Sequence, residues 1–535
     1  MAPREELLLI LDLTSTVLRA GVGVTDLIRG PLLELPTRVA LVGSASRTKP
    51  PTVEDYLVGH HLTEAERLGQ TSNHEIVYPL AVDPRLGFTV TDWVGLEAIL
   101  RYALHTSLQL ARPPLAHPTV LSVPPSLSHS TVDGLHRLLF ERLLVPSLLL
   151  SSRPFFAAGA TGITSGIVLD VGWRGEGCEV SVVHENQLYE PASGTRLGWV
   201  DEGVLDDYLA VQVWQENRST LIDAFKLAKE TESDLPKEVL LDGTRRIVAH
   251  LKEKDLIGFE SKHYAAGKIS GEDASLLDGG EEGTFDVAKV VAEGKVADIV
   301  NKKKHKSKKG DAGGAGGDFV TVPNPFCPPP PPPPIDLTVP VPEIPEHHNV
   351  SIGPSRHLYL EPLLFPQVLT STLTSTNEAA REIGLTYFEG ISVPASGIQE
   401  VLGTVLSEIE PKETRDQVAE NLVVISSGRV ASNRALGSTL IPLLTPFVQN
   451  VTNDPALDEQ DPSAGASGRQ PIKFARTPDY FSNFKPHTGD WAVYLGACIM
   501  GKLLIGDQQS KLFMTKADYA SKGPAYYRQL ELIAS

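Results

Sequence analysis

From Leu7 to Gly23 the chain reads LLLILDLTSTVLRAGVG. An apolar run ends on Asp12, turns through Thr14, Ser15 and Thr16, and resumes as a second apolar stretch, which predicts two strands joined by a tight turn. In TDWVGLEAILRYALHTSL, Trp93, Leu96, Leu100, Ala103 and Leu104 fall on one helical face, with Thr91 or Asp92 as the cap. PTVLSVPP reads as a short buried strand and STVDGLHRLLFERLL as a second helix. SGIVLDVG is the next strand, and CEVSVVHENQLY alternates as a hairpin does. Order returns at RHLYLEPLLFPQVL. A helix SGIQEVLGTVLSEI capped by Ser396 follows, then the strand NLVVISSG and a helix from NRALGSTLIPLLTPFV; DWAVYLGACIMGKLL reads as a strand and a helix packed into the core. Strands alternating with helices predict an α/β fold.

With 535 residues, two or more domains are expected. The apolar periodicity stops near residue 255. Beyond it come the acidic GEDASLLDGGEEGTF, the basic and glycine-rich NKKKHKSKKGDAGGAGGDF, and seven consecutive prolines from Pro328 to Pro334. Such a stretch buries too little apolar surface to fold alone, so 256–348 is expected to be a mostly disordered insertion, with one short helix at FDVAKVVAEGKVADIV.

A net charge of -18 argues against general binding to a phosphate backbone, while leaving contact through local basic patches open. Cys178, Cys327 and Cys498 lie far apart and form no CxxC pair, which fits a reducing compartment. The N-terminus lacks signal-peptide order and no apolar run is long enough to span a bilayer, so a soluble intracellular protein with no membrane contact is expected.

Three strand-to-turn units carry the candidate chemistry: ILDLTST with Asp12, VLDVGWR with Asp170, and VVISSGR with Ser427 and Gly428. Each delivers a tight turn to one edge of a sheet, a common place for a phosphate. Two aspartates at such turns hold a magnesium ion through water. A single strand ending in Asp is more often only a structural turn; the specificity lies in the three together.

That order resembles the actin family. YPLAVDPRLGFTVTDWVGLEAIL, HPTVLSVPPSLS, RHLYLEPLLFPQVL, DWAVYLGACIMGKL and FMTKADYASKGP are each similar to family segments, and together they span nearly all of the chain outside the insertion and the polar loops. The resemblance implies a two-lobed α/β fold shared with the hsp70 chaperones and sugar kinases, interrupted by the disordered insertion. It places a first lobe at 1–200, the second at 201–255 and 349–448, and a return to the first at 449–535.

It also implies a degenerate nucleotide cleft. Thr14 and Thr16 stand where the family has glycines that let backbone N–H groups approach phosphates, and Arg19 takes the place of the residue that would reach them. Asp12, Asp170 and Gly172 are kept, but Trp173 replaces the family's second acid. Arg153 stands where a glutamine would position water, and Glu179 where a histidine would lie. Ser427 and Arg429 differ beside Gly428, and Asp490 replaces a lysine near the base. A guanidinium cannot accept a proton from water. No catalytic residue, metal or required cofactor is therefore expected; weak ATP binding through Asp12, Asp170 and Gly428 stays open.

ARTPDYFSNFK and EEGTFDVAKVVAEGKVADIVNKKK are similar to segments of the fungal actin-related subunits of SWI/SNF and RSC chromatin remodellers. This implies a nuclear scaffold that binds the helicase-SANT-associated helix of the remodeller ATPase. Its other expected partners are a subunit like actin-related protein 7, further remodeller subunits and, indirectly, the nucleosome. Phe155, Phe156, Leu503 and Leu504 are candidates for lining that partner groove, or equally are ordinary core. The alternatives are an actin-fold ATPase and a cytoskeletal, dynactin-type subunit. Lys302, Lys303, Lys304, Lys306, Lys308 and Lys309 read equally as a nuclear-import run and as a solvated linker, and the proline run as a stiff spacer or an SH3, WW or profilin ligand.

Overall fold

The computed structural model describes residues 5–257 except 25–27, 44–48, 71–73, 84–86, 174, 190–191 and 229–234. It further describes 335–338, then 349–444 except 392, 395, 434–435, 438 and 442, and finally 472–534 except 507–511.

Two mixed sheets organise these residues. The first is built from β1 (Leu9–Leu13), β2 (Val17–Val22), β3 (Leu33–Pro36), β4 (Thr119–Val123) and β5 (Ser147–Ser152). The second is built from β6 (Gly166–Val171), β7 (Cys178–His184), β8 (Gln187–Leu188), β9 (Thr195–Leu197), β10 (Asn421–Ser426) and β11 (Lys473–Phe474). A last strand, β12 (Met514–Thr515), returns to the first sheet, whose order is β12-β5-β4-β1-β2-β3. The second sheet runs β8-β7-β6-β10-β11, with β9 against β7. β1 pairs antiparallel with β2 and parallel with β4, so that Asp12 faces Arg19 on one side and Ser122 on the other. β6 runs antiparallel to β7 and parallel to β10, which sets Asp170 between Glu179 and Ile425.

The period of two in β1 sorts its side chains between two cores. Leu9, Leu11 and Leu13 join Leu96, Leu100 and Leu135 of the helices Trp93–Arg101 and His129–Arg137, and Leu139 of the π-helical turn Leu138–Arg142 that follows. Asp92 caps the first of these, accepting from Val94 and Gly95 N–H. Leu8 and Ile10 face the other way, into a core shared by both sheets. Val168, Val423 and Ile425 enter it from the second sheet, and α1 (Arg153–Thr161) and α4 (Ala492–Gly506) supply Phe156, Val493 and Leu495. α4 lies tight on α1: a Cβ on Gly496 would stand 1.7 Å from the Phe156 carbonyl oxygen. The second sheet's outer face packs against α2 (Glu202–Ala228), kinked at Asn217, and α3 (Lys237–Glu253).

Four details differ from the sequence reading. The change of sheet falls between Ser152 and Gly166, ahead of residue 200, because β6 finds its parallel partner in β10 rather than β5. Residues 492–506 form one helix with no strand in it; a run 15 residues long and apolar nearly all round suits a helix, and it is buried from Ala492 to Cys498. The helix Ile398–Ser407 is capped by Gly397, whose N–H donates to Glu400 at 2.7 Å, and not by Ser396. Within the expected insertion, Ile335–Thr338 pairs antiparallel with Asn349–Ile352. The expected helix at 285–300 lies outside the described residues.

Candidate functional site

The turns that follow β1, β5, β6 and β10 converge at the carboxyl ends of the parallel strands, where open α/β sheets place ligands. Asp12, Arg153, Asp170 and Ser427 come together there.

Arg153 opens α1 and is sealed from solvent. Its Nε donates to Asp170 Oδ2 at 2.7 Å and its Nη1 to Asp12 Oδ1 at 2.8 Å. Ser122 Oγ donates to the same Asp12 oxygen at 2.7 Å. Arg19, also buried, lies 3.4 Å from Asp12 Oδ2 and 3.3 Å from Glu34, and donates to the Ser427 carbonyl at 2.8 Å. Both guanidiniums are thus engaged within the protein. Burial alone would pull Arg153 down, but the charges of Asp170 and Asp12 more than offset it and hold the group above its ordinary value.

The threonines fold inward. Thr14 Oγ1 donates to the Val17 carbonyl at 2.9 Å and accepts from Val17 N–H at 3.0 Å, closing its own turn. Thr16 stays half-buried, with its carbonyl accepting from Thr37 N–H at 3.0 Å. The turn's outward donors belong to Ser15, and they are taken by Glu176. Ser15 N–H donates to Glu176 Oε1 at 3.0 Å, and its hydroxyl bonds the same oxygen. Trp173 N–H at 2.7 Å and Ser427 Oγ at 3.0 Å donate to Oε2. Burial pushes the Glu176 carboxyl above its ordinary value, and the Ser15 and Trp173 bonds pull it part of the way back. Neither Ser15 nor Glu176 was singled out from the sequence. The available signal was an acid three residues past Trp173 in the glycine-bracketed GWRGEGCE.

On the far side of the cleft, buried Glu202 of α2 fills the space beside Gly428. Its Oε1 accepts from Arg429 N–H at 2.7 Å and from Lys252 Nζ at 2.8 Å. A Cβ on Gly428 would lie 2.2 Å from Glu202 Oε2. Lys252 also lies 2.7 Å from Asp206 and 4.8 Å from the centre of the Trp173 ring. Asp490 accepts from Ser432 Oγ and from His487, each at 2.8 Å.

Between these groups remains a cavity of about 20 Å³, bordered by Thr14, Arg153, Asp170, Gly172, Glu176 and Glu179, which is room for about one water. Arg153 Nη2, Asp170 Oδ1 and Glu179 Oε1 have no hydrogen-bond partner among the described residues, and their residues border it. Burial raises the Glu179 carboxyl to about 7, against the pull of the 3.0 Å bond from Ser126.

The proposed groove residues part company. Phe156 is fully buried in the shared core, Phe155 and Leu504 pack on its margin, and Leu503 on α4 is 63% exposed. The lysine run lies outside the described residues. Among the described residues no helix is long and apolar enough to cross a membrane, and no group of three acidic, His or Cys side chains is placed to hold a metal.

A magnesium nucleotide, which this fold class implies, does not fit the residues present. A guanidinium stands between the two aspartates, a carboxylate engages the turn donors, and another presses on Gly428. The two sheets, their shared helices and the converging turns define the two-lobed actin-like α/β fold.

Residues 4–239 match the family model described as Actin. Similar curated proteins include Actin-like protein 7A of Bos taurus, 24% identical over 28% of this chain and 35% of its own length. Actin-related protein 4 of Arabidopsis thaliana is 29% identical over 19% of this chain and 22% of its own. An Actin-like protein of Neurospora crassa is 35% identical over 16% and 21%. The chain thus spans between about a fifth and a third of these relatives' lengths. An actin-family domain thus covers residues 4–239, and parts of the chain are similar to actin-like and actin-related proteins.

Proposed function

We propose that this chain is a non-catalytic scaffold subunit, of the actin-related protein 9 kind, in a SWI/SNF- or RSC-type chromatin remodeller. In that role it works in the nucleus and supports transcription regulation. It binds the helicase-SANT-associated helix of the motor ATPase beside a subunit like actin-related protein 7, and meets other subunits directly and the nucleosome indirectly.

The observation that carries the non-catalytic part is Arg153, bonded at once to Asp12 and Asp170 where catalysis would need a hydrated cation and a group that orients water. The remodeller part is supported by the sequences ARTPDYFSNFK and EEGTFDVAKVVAEGKVADIVNKKK, which resemble the remodeller subunits; the second lies outside the described residues. Within the former, Tyr480 is 78% exposed while Phe484 is buried, so the segment presents an aromatic ring outward from an anchored turn.

The test is to tag the full chain, isolate it from nuclear extract at moderate salt and identify what co-purifies by mass spectrometry. Recovery of a remodeller ATPase with a second actin-related protein is the expected result. Recovery of dynein-activator subunits, or of no partner, overturns the assignment.

A further inference from the structure

We propose that Glu176 is an internal ligand: its carboxylate fills, in cis, an anion seat made by three turns from both sheets, and so holds those turns together without any bound phosphate. The donors come from separate parts of the chain. Ser15 contributes its N–H and hydroxyl from the turn between β1 and β2 of the first sheet. Trp173 contributes an N–H from the turn after β6, and Ser427 a hydroxyl from the turn after β10, both of the second. Four donors match the capacity of one ionised carboxylate.

The loop is shaped to return the acid to this place. Gly175 and Gly177 have φ of +91° and +70°, Gly172 N–H donates to the Gly177 carbonyl at 2.8 Å, and Glu176 N–H to the Trp173 carbonyl at 3.3 Å. A Cβ on Gly172 would stand 2.2 Å from that of Glu176, so the bend admits only glycine there. Of the counter-charges, Arg153 is already shared between Asp12 and Asp170, and Arg196 bonds the Glu176 carbonyl oxygen at 2.8 Å. A free phosphate entering this seat would have to expel a satisfied carboxylate and set a larger negative charge beside two buried aspartates. The seat therefore stays with its resident group. This inference holds whatever assembly the chain serves, and its failure would leave the partner test untouched.

The experiment compares full-length wild type, Glu176→Ala and Glu176→Asp. Thermal unfolding is followed with sodium acetate or inorganic phosphate added, against sodium chloride of equal ionic strength. Glu176→Ala is expected to unfold several degrees lower, and acetate or phosphate to recover most of the loss while leaving wild type unmoved. Should Glu176→Ala not fold, hydrogen exchange on Glu176→Asp reads the same contacts. The Ser15 and Trp173 amides then exchange at least about tenfold faster, while those in the strand centres do not change. A Glu176→Ala chain as stable as wild type, or one that no anion restores, overturns the proposal. So do unchanged Ser15 and Trp173 amides in Glu176→Asp.

Discussion

Arg153 Nη1 lies 2.8 Å from Asp12 Oδ1, and both groups are closed off from solvent. A buried pair gains little over an apolar substitute, yet breaking it is costly, since the surviving charge is left alone. Arg153→Gln leaves Asp170 without its paired cation and Asp12 with Arg19 and Ser122, and is expected to lose about 3–5 kcal/mol of stability in chemical unfolding. Because Asp12 and Asp170 would then be free to hold a hydrated cation, magnesium chloride should restore part of that loss in the variant and nothing in wild type. A variant as stable as wild type would contradict the pairing.

Glu179 supplies a pH dependence. Its carboxyl, raised from the ordinary 4.5 to about 7, faces Asp170 across the strand pair, with Ser126, Arg196 and Arg153 around it. Between those values the folded chain holds a proton that the unfolded chain has released, so rising pH favours unfolding. The contribution is complete below about pH 4.5 and lost by about pH 7, worth roughly 3 kcal/mol. Burial also raises Glu176, and raises Asp206 to about 6, so wild type keeps some further slope of the same sign. Subtracting the stability curve of Glu179→Gln isolates the Glu179 part; parallel curves would refute it.

Gly496 is where α4 meets α1. With its Cβ placed 1.7 Å from the Phe156 carbonyl, Gly496→Ala must push the helices apart. A loss of about 3 kcal/mol is expected in chemical unfolding. An unchanged midpoint would mean that the helices are not this close.

Phe156 and Leu503 separate core from surface. Phe156→Ala should cost about 3–5 kcal/mol, as for other buried aromatic truncations. Leu503→Asp, on an exposed position, should alter stability by less than about 0.5 kcal/mol. Under the proposed function it should nevertheless reduce recovery of the motor ATPase in the tagged purification. Full recovery would remove Leu503 from the groove.

Much of the site was readable before any coordinates. Asp12, Asp170 and Ser427 are announced by apolar strands that end in turns, and such strands are local patterns. Arg153 follows from the resemblance, which sets it where a glutamine would position water, and that place carries the argument against catalysis. What the pattern could not reveal is where each charge goes. Glu176 lies 161 residues from Ser15 and 251 from Ser427, and only the convergence of three turns makes it their common acceptor. Glu202 opens a helix and reads locally as an acid at a helix start; its pressure on Gly428 is a tertiary fact. Thr14 and Thr16 were read as obstacles to a phosphate, whereas Thr14 closes its own turn and the donors beside it already have a carboxylate.

The most direct test of this account is equilibrium binding of magnesium ATP to the purified full chain by calorimetry. A cleft filled by Arg153, Glu176 and Glu202 predicts no saturable heat up to millimolar nucleotide. Stoichiometric binding at micromolar affinity would mean that these groups move aside for a ligand, and would contradict the account at its centre.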